Sequence, residues 1–248
     1  MATNQVIEVR GLRKVYAGTI AVEAVDLDVA RGEIFGIVGP NGAGKTTTVE
    51  CMASLRRPDA GSIRILGLDP VADQKAVRSV VGVQLQHSAL PARLRVREAL
   101  DLFAAYYPQP LDVGGLLADW QLTDKANTAV ASLSGGQRQR LFIALALVGN
   151  PEIVVLDELT TGLDPHVRRD TWALVQGLRD RGVTVVLVTH FMDEVERLCD
   201  RVAVIAAGRV TAIGTPAELT ELAANRGAVS STFEDTYLAL TGAGNPTI

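Results

Sequence analysis

Short runs of valine, isoleucine and leucine, each closed by a glycine or a polar residue, recur at 33–38, 153–156, 184–189 and 202–206. Runs of this length without alternation predict strands buried on both faces. Longer segments between them, 45–55, 137–148, 166–181 and 193–198, have helical patterns. Buried strands alternating with helices predict an α/β fold with a mainly parallel sheet covered on both faces. The first thirty residues differ: 6–10 and 24–29 alternate apolar and polar positions, as half-exposed antiparallel strands do. From about 87 to 150 the pattern is helical, with breaks at 107–110 and 114–115, and reads as a helical insertion between two parts of the α/β core. No internal repeat or low-complexity segment is visible.

Composition narrows the function classes. The 248 residues suffice for one domain to two, at roughly 150 residues per domain. A hydrophobic share of 48% supports a real core, and a net charge of −4 without a basic stripe argues against nucleic acid as a partner. Cys51 and Cys199 lack metal spacing and read as free thiols in a reducing compartment. The first residues show no apolar signal segment, and the longest apolar stretch, 141–148, is far short of the roughly 20 residues a membrane span needs. A soluble, cytoplasmic chain is expected, and any membrane work requires another chain to supply the span.

Gly39-Pro40-Asn41-Gly42-Ala43-Gly44-Lys45-Thr46 matches G-x-x-x-x-G-K-[ST] between a predicted strand and a predicted helix, the context this phosphate loop requires. Glycines let backbone N–H groups curl around phosphate oxygens, and the helix N-terminus adds its positive dipole end. Lys45 suits the β/γ-phosphates and the Thr46 hydroxyl suits Mg²⁺. The motif alone covers kinases, GTPases, helicases and transport ATPases.

The run 153–156 ends in Asp157 and Glu158. A carboxylate at a strand end beside a phosphate loop suits the Mg²⁺ shell, and the next one can polarise an attacking water. Leu133-Ser134-Gly135-Gly136-Gln137 opens another helix; Ser134 and Gln137 fit a capping box, and the two glycines leave the first-turn N–H groups uncovered.

Together these motifs carry a resemblance. The phosphate loop, 133–137, Asp157-Glu158, Thr161-Gly162-Leu163-Asp164 and His190 stand in the order found in the ATP-binding subunits of ATP-binding-cassette (ABC) transporters, over nearly the whole chain. Lys45 and Ser134 are 89 residues apart and Ser134 and Asp157 are 23 apart, as in ordinary cassettes. The resemblance implies a P-loop NTPase (RecA-like) core at 1–86 and 151–225 with an N-terminal antiparallel β subdomain, a helical subdomain at 87–150 and a helical tail at 226–248. It implies ATP and Mg²⁺ as cofactors. Gly39, Asn41, Gly42, Gly44, Lys45, Thr46 and Thr47 would hold the phosphates, with Tyr16 stacked on adenine and Val22 near it. Glu158 would activate water, His190 would reach the γ-phosphate, and Asp157, Thr46 and Gln86 would serve the metal. Gln84 competes with Gln86 for the glutamine position; the strand-like 81–83 favours Gln86. His87 and His166 read as ordinary surface or core residues. Ser134, Gly136 and Gln137 would face the nucleotide of a second cassette, with Asp164 coupling the two sites. The implied partners are therefore a second copy and a transmembrane permease subunit, at the cytoplasmic face of the membrane.

One position departs from the family pattern: Leu159 follows the acid pair where proline is usual, leaving a more permissive backbone. Gly67-Leu68-Asp69-Pro70 with Lys75–Arg78, and the tail 232–242, resemble the ATPases of ABC-2 type drug and antibiotic exporters. The alternative is a non-transport cassette of similar size, such as the iron–sulfur assembly ATPase.

Overall fold

The computed structural model describes residues 4–86, 89–225 and 232–242. In chain order the elements are β1 (Gln5–Tyr16), β2 (Thr19–Ala30), β3 (Ile34–Val38), α1 (Lys45–Met52), β4 (Ala60–Ile65), α2 (Gln74–Val80), β5 (Val81–Gln84), α3 (Val96–Ala104), α4 (Val113–Asp119), α5 (Gly135–Leu147), β6 (Ile153–Asp157), α6 (Pro165–Asp180), β7 (Thr184–Thr189), α7 (Met192–Leu198), β8 (Arg201–Ala206), β9 (Arg209–Gly214), α8 (Pro216–Asn225) and α9 (Phe233–Thr241).

The strands form one sheet in the order β4-β1-β2-β9-β8-β3-β7-β6-β5. From β8 to β5 every pairing is parallel. At the other end β1 runs antiparallel to β2 and β4, and this wing joins the core through a single parallel pairing of Ala24 with Arg209. All five residues of β3 and all six of β7 are buried, as unbroken apolar runs require. The two faces of β3 feed different cores. Ile34 and Val38 join the cluster beneath α3, α4, α5 and α6, while Phe35 and Ile37 join the one shared with β1, β2 and α1. Each such side chain contributes about 1.5–3 kcal/mol on burial.

The antiparallel wing is longer than the alternating pattern predicts, because β1 and β2 continue past Arg10 and before Ala24 through register shifts that absorb the polar positions. Gly114 and Gly115 do not break the helical stretch. They form the first turn of α4, where the Asp112 carboxylate accepts the Gly115 N–H at 2.6 Å and caps the helix. Tyr107–Pro110 does interrupt the helices, between α3 and α4. Among the described residues no helix is long and apolar enough to cross a membrane. His87, and 226–231 and 243–248 of the tail, lie outside the described residues.

Candidate functional site

Four parallel strands release their chemistry at the same edge of the sheet. β3 runs into the loop 39–44, β6 ends on Asp157, β7 is followed by His190, and the segment after β5 carries Gln86. The C-terminal edge of a parallel sheet is the usual ligand side of an open α/β fold. Here it borders a cavity of about 810 Å³ lined by Tyr16, Ala21, Gly39, Pro40, Asn41, Gly42, Ala43, Gly44, Lys45, Thr46, Thr47, Gln86, Glu158, His190 and Tyr237.

The loop is shaped by close backbone approach. Gly44 caps α1 with φ of 98°, and a Cβ there would lie 2.4 Å from the Ala21 carbonyl oxygen, so only glycine fits. Val22 sits fully buried behind the same glycine and does not line the cavity. No side chain caps α1, which leaves its first N–H groups to a ligand. The Lys45 ammonium donates to the carbonyl oxygens of Gly39 at 2.7 Å and Pro40 at 3.1 Å. Burial lowers its pKa, while Glu158 and Asp157 act in the opposite direction.

The Thr46 hydroxyl donates to Asp157 Oδ2 at 3.1 Å. The other oxygen, Asp157 Oδ1, is buried and has no hydrogen-bond partner. Burial raises the pKa of this carboxyl, with the Thr46 hydrogen bond pulling it down. An orphaned carboxylate oxygen beside a hydroxyl, both hard donors, fits Mg²⁺. Among the described residues no cluster of three or more His, Cys, Asp or Glu could hold a metal.

Glu158 adopts a left-handed backbone with φ of 52°. A non-glycine residue there costs about 1–3 kcal/mol and persists only when its surroundings hold it. Its neighbour Leu159 is fully buried in the larger core, and the Glu158 N–H donates to the Val188 carbonyl oxygen at 2.8 Å. Three side chains surround the carboxylate, Gln86, Thr161 and His190. Gln86 Nε2 donates to Oε2 at 2.6 Å, and His190 Nδ1 lies 3.5 Å from Oε1. Gln84 is elsewhere: buried in β5, it donates to the Leu85 and Asp157 carbonyls and borders a different groove.

Tyr16 closes the far side, 36% exposed, with Lys14 and Arg56 lying 5.5 and 5.6 Å from its ring centroid. Asp59 braces this end by accepting from Lys14 and from the Val15 N–H, and these donors hold its pKa low.

Ser134, Gly136, Gln137 and Asp164 do not line the cavity. Ser134 and Gln137 form the capping box of α5, exchanging hydrogen bonds at 3.2 and 3.1 Å. Gly136 is buried where α5 meets α6; a Cβ there would lie 2.3 Å from Val167 Cγ1. The Asp164 carboxylate caps α6 by accepting the His166 and Val167 N–H groups, which lower its pKa. His166 is exposed on the first turn of α6. Pro40 and Ala43 join the cavity wall from variable positions of the phosphate loop, and Ala21 and Tyr237 join it without a motif residue to announce them, Tyr237 from a helix near the far end of the chain.

Residues 22–161 match the family model described as ABC transporter. The chain belongs to the ABC transporter family. It is similar to Nod factor export ATP-binding protein I of Rhizobium johnstonii, 40% identical over 220 residues, or 87% of this chain and 71% of the relative. It is 43% identical over 218 residues to the daunorubicin resistance ATP-binding protein DrrA3 of Streptomyces coeruleorubidus, covering 86% of this chain and 69% of that one. Among solved structures, an ATP-binding subunit of an ABC transporter superposes with a TM-score of 0.83 at 28% identity, covering 95% of this chain and 99% of that one. A dimeric cassette in a post-hydrolysis state with ADP and Pi superposes with a TM-score of 0.76 at 27% identity, covering 84% and 98%. This ABC protein is an ATP-binding, ATP-hydrolysing domain with the P-loop NTPase fold.

Proposed function

We propose that this ABC ATPase powers export of a small molecule (a drug, an antibiotic or a lipid-like compound) through a separate transmembrane subunit, and that two copies close around ATP to do so. The observation that carries the reading is a division within one chain. The cavity gathers Lys45, Gln86, Glu158 and His190, while the capped start of α5 with Ser134 and Gly136 lies outside it. A second copy placed head to tail brings its own α5 N-terminus to the open side of the cavity. The dimeric ADP- and Pi-bound cassette and the export and resistance proteins among the relatives support the reading.

In this reading the Lys45 ammonium leaves the Gly39 and Pro40 carbonyls for the phosphate oxygens of ATP, with the uncapped N–H groups of α1 beside it. Glu158 accepts a proton from the attacking water, and Gln86 and His190 hold its carboxylate in place. His190 also donates to the γ-phosphate. Asp157 and Thr46 would hold Mg²⁺, which when bound would neutralise charge on the phosphate oxygens. Hydrolysis removes the shared phosphate and lets the copies part, so the ATP state and the ADP state favour different arrangements of the pair.

Coupling to a permease has a candidate seat. A groove of about 360 Å³ runs between the sheet and the helical segment, lined by Leu55, Val83, Leu90, Phe103, Tyr107 and Phe142 among others. Gln84 borders this groove and Gln86 borders the nucleotide cavity, so two residues of one short segment touch both. A cytoplasmic segment of the permease seated there would move with the segment that contacts Glu158.

The test is capture of the tagged chain from solubilised membranes. Recovery of a polytopic protein that stimulates its ATP hydrolysis, lost when groove residue Phe142 is changed to Asp in a chain that still binds ATP, supports the reading. Recovery of soluble scaffold proteins alone contradicts it and favours a non-transport cassette.

A further inference from the structure

Among the described residues of the nucleotide cavity wall, Tyr237 is the contribution of α9. Its position is built by packing. Phe233 and Leu240, one turn to either side, are buried in the larger core, and the helix packs on α7, α8, β8 and β9. Thr232 and Asp235 close its N-terminus with a capping box. Two of those neighbours border the phosphate loop and its catalytic partners. β8 lies beside β3, whose last residue opens the loop, and α7 begins immediately after His190 and Phe191. Through its packing on β8 and α7, Tyr237 enters the cavity from the side that carries His190. The Tyr237 ring is partly buried against the core, and the residue lines the cavity. Burial pushes the phenol pKa up, so at neutral pH the group is an intact O–H donor.

We propose that the Tyr237 hydroxyl is a further nucleotide-binding group, donating a hydrogen bond to the terminal phosphate oxygens of bound ATP and linking α9 to the state of the site. The inference rests on the reading of this cavity as the ATP site. A neutral donor to an ionised phosphate oxygen makes a charge-assisted hydrogen bond, stronger than one between neutral groups. The terminal phosphate is absent from ADP, so the contact discriminates between the two nucleotides.

The experiment measures dissociation constants for a non-hydrolysable ATP analogue and for ADP, by titration calorimetry on the full chain. Tyr237→Phe keeps the ring and its packing and removes only the hydroxyl; an unchanged thermal melt confirms that α9 stays docked. The expected result is about tenfold weaker binding of the ATP analogue with ADP binding unchanged. Unchanged affinity for both ligands, or equal loss for both, overturns the inference. Lys45→Ala run alongside separates the two layers. If it abolishes binding while Tyr237→Phe has no effect, the cavity is the ATP site and Tyr237 is only structural. If Lys45→Ala leaves both affinities intact, the reading of the cavity itself fails, and this inference with it.

Discussion

Gln86 and Glu158 are 72 positions apart in the chain, yet their side chains meet across the cavity at 2.6 Å, Nε2 to Oε2. The contact joins the end of one buried strand to the end of its neighbour, since β5 pairs with β6 in parallel register. Because Glu158 also sits in a left-handed backbone, its carboxylate position depends on what holds it. Gln86→Ala is expected to lower kcat for ATP hydrolysis about tenfold with KM nearly unchanged, since it loosens the base without touching the phosphate cradle. Steady-state kinetics on the purified chain check this, and a change confined to KM contradicts it.

Asp157 presents a different balance between stability and activity. Its buried Oδ1 lacks a partner and burial disfavours its charge. Asp157→Asn keeps the Thr46 hydrogen bond and removes the charge. The nucleotide-free protein should gain about 1 kcal/mol, roughly 2–4 °C in Tm, while hydrolysis falls to background. Scanning calorimetry with a parallel phosphate-release assay reads both; a lower Tm contradicts the burial argument.

Gly136 separates a packing role from a ligand role. A Cβ at this position would lie 2.3 Å from Val167 Cγ1, so either the Val167 side chain or the α5–α6 packing must shift for any larger residue. Gly136→Ala should destabilise the fold by about 1–3 kcal/mol without nucleotide present. Val167→Ala in the same chain should restore most of that loss. Urea unfolding measures both, and a Gly136→Ala chain as stable as the parent leaves the glycine to ligand contact alone.

The thiols are set by burial. The Cys51 pKa is pushed up to about 11, and that of Cys199 is raised further, in both cases chiefly by desolvation. The thiolate is the reactive form, so at pH 8 only about one Cys51 in a thousand is ionised. Native protein should resist a thiol-specific chromogenic reagent at pH 8, with Cys51 labelling faster as pH rises towards 11, and both thiols should react after unfolding. Rapid native labelling contradicts this.

The parallel core is readable from sequence because β3, β6 and β7 are short, apolar and bounded by turn residues, and local composition alone carries that signal. The phosphate loop, Asp157 and Glu158 are readable because their chemistry is contiguous. β4 is missed, since four of its six residues are exposed and its pattern resembles a loop. The helical turn at Gly114–Gly115 is missed because two glycines outweigh, in any pattern, the single Asp112 that caps them. Gln84 and Gln86 differ only in which cavity they face, a fact of sheet geometry and not of spacing. Tyr237 carries no motif; only the docking of α9 on β8 and α7 brings it to the nucleotide side.

The most direct measurement of the two-copy site is the molar mass of Glu158→Gln in solution with ATP, with ADP and without nucleotide. With the base disabled, ATP should persist and hold a dimer, while the ADP and nucleotide-free samples remain monomeric. Adding Ser134→Arg should return the ATP sample to monomer, although Ser134 lies outside the chain's own cavity and its loss as a helix cap costs only about 1 kcal/mol. A dimer that survives Ser134→Arg, or no ATP-dependent dimer in Glu158→Gln, contradicts the shared site.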